Sequence, residues 1–113
     1  MPSSQSSEPG PDPEALRHLR VLWAEHRAAA YPPLADSDPR AQEVTLYASW
    51  VASLVESTLD SGGRLDDNSR LMLEVRRREG NQAVWAAAAD LGDPARAFVA
   101  RLLALEQALS RLI

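Results

Sequence analysis

The segment DPARAFVARLLALEQALSRLI, residues 93–113, decides the fold. Ala95, Phe98, Leu102, Leu105, Leu109 and Leu112 recur at alternating steps of three and four, which on an α-helix winds them into one apolar seam about five turns long. Val99, Leu103 and Ile113 widen the seam on one side. Burial of apolar surface is the main favourable contribution to folding, so a stripe of this width must lie against other protein. A helix running to Ile113 is therefore the expected axis of the molecule.

Asp93-Pro94 marks its start. An Asp side chain accepts from the orphan amides of a first turn, and Pro there lacks only an amide that would be orphaned anyway. The same pair stands at Asp12-Pro13 and Asp38-Pro39, each ahead of a helical apolar pattern. The first predicts a helix over 13–30 with Leu16, Leu19, Leu22, Trp23, His26 and Ala30 along one side, stopped by Tyr31-Pro32-Pro33. Arg17, Arg20 and Arg27 fall on its solvated side, and a loop over 31–37 follows. The second pair predicts a helix over 39–59 with Val44, Tyr47, Val51, Leu54, Val55 and Thr58 inward, Trp50 at the edge, and Gly62-Gly63 closing it. No charge interrupts it from Val44 to Val55, which makes it the chief partner of the terminal helix.

Asp66, Asp67 and Asn68 are candidate caps for a third helix through Glu79, with Leu71, Met72 and Val75 inward. Gly80-Asn81 then reads as a stop or a hinge before an alanine-rich piece over 82–91, ended by Gly92; a break there is favoured, the alternative being one long helix over 67–91, since a single Gly costs only about 1 kcal/mol in a helix. The expected fold is all-α, an antiparallel bundle of four or five helices in a single domain over 12–113. Residues 1–11, MPSSQSSEPGP, have nothing to bury and are expected to be a disordered tail.

Composition excludes several function classes. The net charge is −4, which opposes a surface built throughout to hold nucleic acid or anionic membrane. Residues 1–69 carry eleven acids against five arginines, and residues 70–113 carry seven arginines against five acids, so the basic charge sits in the second part. With no cysteine, neither a disulfide framework nor a thiolate zinc site can form. No run reaches the length of a membrane span and the first residues lack the order of a secretory signal, so a cytoplasmic protein is expected.

The residues that carry chemistry are sparse. His18 and His26 lie eight residues apart on the first helix, two turns distant and rotated, whereas paired metal ligands on a helix sit three or four apart. No Gly-flanked Ser and no glycine-rich phosphate cradle is present. A metal-dependent enzyme using Glu43, Glu56 and Glu74 is the catalytic alternative. No catalytic residue, metal ligand or cofactor site is otherwise assigned. Arg76, Arg77 and Arg78, with Arg70 before them, are the densest charge, and Glu74 at four-residue spacing is expected to pair with Arg70 and Arg78. Together with Arg96 and Arg101 they are the candidate contacts for an anion or nucleic acid.

Residues 84–103 resemble a helix-turn-helix, similar to the region of winged-helix regulators whose second helix reads the major groove: Ala88 permits close crossing, Leu91 and Gly92 form the turn, and Phe98 locks the second helix. The pattern departs at Arg101, where a further apolar anchor belongs, and at Asp93, an acid where phosphate would approach. The resemblance implies a DNA-binding regulator as the rival function. The leading expectation is a non-enzymatic interaction or regulatory module, a homodimer or higher oligomer joined through Phe98, Leu102, Leu105, Leu109 and Leu112, with Trp50 or Trp85 contributing, because one chain of this size struggles to cover so long a seam.

Overall fold

The structure, a computed structural model, describes residues 12–35 and 37–113. The expected tail over 1–11 lies outside the described residues. Five helices follow one another: α1 (Pro13–Ala28), α2 (Pro39–Asp60), α3 (Asp67–Glu79), α4 (Gln82–Leu91) and α5 (Asp93–Ser110). Among the described residues there is no strand. The predicted all-α antiparallel bundle is the observed one.

Three of the helix starts are held by aspartate. Asp12 accepts from the amide of Glu14 at 3.0 Å, Asp38 from that of Arg40 at 2.9 Å, and Asp66 from that of Ser69 at 2.7 Å. Asp93 does not cap. Gly92, at φ +108, joins α4 to α5 in a single residue and itself stands at the N-cap, so Asp93 falls inside the first turn and pairs with Arg96 instead. At the other end α1 stops at Ala28, short of Ala30, because Ala29 is already extended ahead of the Tyr31-Pro32-Pro33 run.

The seam of α5 is filled by the chain's own helices. α5 packs against each of the other four, and Phe98, Val99, Leu102, Leu105, Leu109 and Leu112 are all buried among them. Burial of each such leucine is worth roughly 2 kcal/mol, so the seam is the main store of stability. One chain is after all long enough to cover it: α1, α2 and α4 close its flanks, and no second copy is needed there. The helix itself ends at Ser110, with Leu112 folded back into the core from a final turn.

α2 presents the predicted face, with Val44, Tyr47, Val51, Leu54, Val55 and Thr58 buried. α3 does not. Its one buried residue is Leu73, while Leu71 and Met72, expected inward, are 58% and 40% exposed. The inward stripe runs through Leu73 and Arg76, because the Arg76 guanidinium finds partners inside the bundle that hydropathy does not anticipate.

Candidate interaction surface

Arg76 turns inward and fixes α3 to the bundle. Its guanidinium lies 4.8 Å from the ring centre of Tyr47 and 5.0 Å from that of Trp50, both on α2, in cation–π geometry. Its Nη2 donates to the Asn81 side-chain oxygen, and its Nε, buried and without a hydrogen bond, faces Glu106 Oε1 at 3.9 Å. Glu106, on α5, is the one buried charge among the described residues. Its Oε1 accepts from the Tyr47 hydroxyl at 2.5 Å and from Asn81 Nδ2 at 3.3 Å. Burial, and then the Glu106 carboxylate, push the Tyr47 hydroxyl far above the usual phenol range, so it stays a donor.

Four elements thus meet at one carboxylate. A buried charge is tolerated only when its lone pairs are matched, and mismatching any member leaves the others unpaired. The network ties α3 to α2, to α5 and to the start of α4. Asn81 is spent on it: α4 begins at Asn81 without a side-chain cap, since the amide is turned to Arg76 and Glu106. Glu106 is not among the residues singled out from sequence, although it lies four residues after Leu102 and three before Leu109, on the seam itself. A charge at an inward helical position is the signal that could have found it.

With Leu73 and Arg76 facing in, the other side of α3 faces out. Asp67, Arg70, Leu71, Glu74 and Arg77, at helical spacing, line a shallow depression of about 270 Å³ together with Ile113, which is 51% exposed. Leu71 and Ile113 form its apolar part. Among the described residues Glu74 makes no ion pair with Arg70 or Arg78, contrary to the expected four-residue pairing, and neither Asp67 nor Arg77 has an ionic partner. Arg70 Nε donates to the Leu65 carbonyl at 3.3 Å, which anchors that guanidinium at the rim. Asp66, held below the usual carboxylate range by the Ser69 amide, fixes where the face begins.

The six arginines expected to form one anion-binding surface are dispersed. Arg76 is in the network, Arg96 pairs with Asp93, and Arg101 lies 5.9 Å over the Phe98 ring. Arg70 and Arg77 share one depression with Asp67 and Glu74, and Arg77 lines a second with Arg76 and Glu106. Arg78 sits in the last turn of α3, where a cation complements the helix dipole. The helix-turn-helix likeness ends at the connection: α5 is the central helix, packed by all the others, whereas a helix that reads a groove needs an open face. Phe98 stacks with His26 at 5.3 Å and meets Tyr31 at 4.9 Å, so it locks α1 and its following loop to α5.

Of the interface residues expected from sequence, Phe98, Leu102, Leu105, Leu109 and Leu112 are core, Trp50 is half-buried against Arg76, and Trp85 alone remains on the surface. His26 is sandwiched by Trp23 and Phe98; burial, then Arg101, lower its pKa. His18 is exposed, as are Glu43, Glu56 and Glu74, and among the described residues no three His, Asp or Glu gather where a metal could bind. Nor is any helix long and apolar enough to cross a membrane among them. Fold and surface together define a five-helix bundle that carries one helix with an amphipathic outer face. The chain matches no protein-family model, no curated protein and no solved structure.

Proposed function

We propose that this chain is a non-enzymatic interaction module, of an adaptor or regulatory kind, that docks a protein partner on the outer face of α3. One observation carries the reading: Leu71 and Ile113 stay exposed beside each other, ringed by Asp67, Arg70, Glu74 and Arg77, on a helix whose opposite side is fixed to the bundle. An isolated exposed leucine needs no explanation. An apolar centre with a rim of charges that make no ion pair among the described residues is the anatomy of a protein interface, and the buried network holds that face before any partner arrives.

The test is a photo-crosslinking amino acid placed at position 71 in the full chain, compared with the same residue at Val21, which is 50% exposed on α1. Crosslinking to protein from position 71 and not from position 21 is expected. No product from position 71 would remove the reading.

A further inference from the structure

The geometry points to a second copy of this chain as the partner, joined α3 to α3 across a two-fold axis with the helices antiparallel; this rests on the α3 docking face proposed above. Along that face the charges run Asp67, Arg70, Glu74, Arg77, in signs minus, plus, minus, plus. A two-fold axis through the level of Met72 reverses the order and sets each residue opposite the one equally far from that level on the other side. Asp67 then meets Arg77 of the partner copy, and Arg70 meets Glu74 of the partner copy. Each meeting occurs twice.

The pattern is self-complementary only in this sense. Laid parallel and in register, the same four residues would set acid on acid and arginine on arginine, which is repulsive. The apolar part agrees with the antiparallel arrangement, since Leu71 lies one residue from the axis and so falls close to its own symmetry mate, with Ile113 at the side. No ion pair within the chain competes for Asp67, Glu74 or Arg77 among the described residues. The self-association expected from the α5 seam is thus moved to α3, where Asp67, Glu74 and Arg77 make no ion pair among the described residues and Arg70 is held at the rim by the Leu65 carbonyl.

Sedimentation velocity on the full chain, from low to high micromolar, tests this with charge exchanges. The wild-type chain is expected to reach a dimer. Asp67→Arg and Arg77→Asp each place like charges across the axis twice and should weaken dimerisation by about tenfold or more. The double variant Asp67→Arg/Arg77→Asp restores the sign pairing and should return to within about threefold of wild type. Should either single variant lose its helical circular dichroism, the Arg70→Glu and Glu74→Arg pair supplies the same exchange. A wild-type monomer at every concentration, single variants that dimerise like wild type, or a double variant as weak as the singles would each overturn the inference. A monomer whose position 71 crosslinks to a different protein overturns the second copy and leaves the docking face standing. A monomer with no crosslink removes both.

Discussion

Replacing Tyr47 by Phe removes one oxygen from the buried network and leaves the ring in place. The Glu106 carboxylate then loses its shortest hydrogen bond, the 2.5 Å contact, and keeps Asn81 Nδ2 at 3.3 Å and Arg76 Nε at 3.9 Å. A hydrogen bond to a charged acceptor is worth about 1.5–3 kcal/mol, and none of the remaining partners is close enough to replace it. We expect a loss of about 2 kcal/mol in urea unfolding at neutral pH, and a fall in Tm of about 10 °C for a chain of this size. Glu106→Gln keeps an acceptor oxygen and discards the charge, so a double-mutant cycle with Tyr47→Phe should show a coupling of about 1 kcal/mol or more. Because the network ties α3 and the start of α4 to the bundle, amide exchange in Tyr47→Phe should quicken in α3 and in the first turn of α4 and stay unchanged in α1. A stability change below about 0.5 kcal/mol, with exchange in α3 unaltered, would refute the assignment of Glu106 as the point that holds α3.

Other perturbations separate core from surface. Leu105→Ala, in the fully buried seam, should cost about 3 kcal/mol in chemical denaturation, whereas Leu71→Ala should change stability by less than about 0.5 kcal/mol and still weaken dimerisation in sedimentation. Gly80 has φ +78, and a Cβ added there would meet open space, so Gly80→Ala should cost about 1–3 kcal/mol from backbone conformation alone, read by thermal unfolding. His26 titrates below its ordinary 6.5 in the folded chain because burial and Arg101 favour the neutral ring. The unfolded chain then binds a proton that the folded one refuses, so this contribution is complete above the unfolded pKa and is lost as pH falls through the folded value. His26→Phe should therefore narrow the difference in Tm between about pH 7.5 and about pH 5.5.

Much of this architecture is legible in the sequence because a few local signals agree. The buried face of α2 repeats at helical spacing without a charge to interrupt it, and α4 is bounded by Gly80-Asn81 and Gly92, so both emerge from periodicity and turn chemistry. α3 departs from its hydropathy for a physical reason. Leu71 and Met72 outweigh Leu73 and Arg76 in apolar character, but a guanidinium with two aromatic rings and an amide to meet is worth more inside than a leucine that can stay at a rim. Glu106 is concealed by the strength of the seam around it. Its partners come from α2, from α3 and from the start of α4, and that convergence is a tertiary fact no helical period contains. The proposed docking face follows from the same correction, since only when Leu73 and Arg76 point inward do Asp67, Arg70, Leu71, Glu74 and Arg77 share the outside.

Backbone amide NMR across a dilution series tests the central claim most directly, because it locates the contact without altering a residue. Shift changes confined to residues 67–78 and Ile113 are the result expected of an α3-to-α3 dimer. Changes centred on the exposed parts of α2 or α4, around Leu46 or Trp85, would contradict it, as would spectra that do not change with concentration.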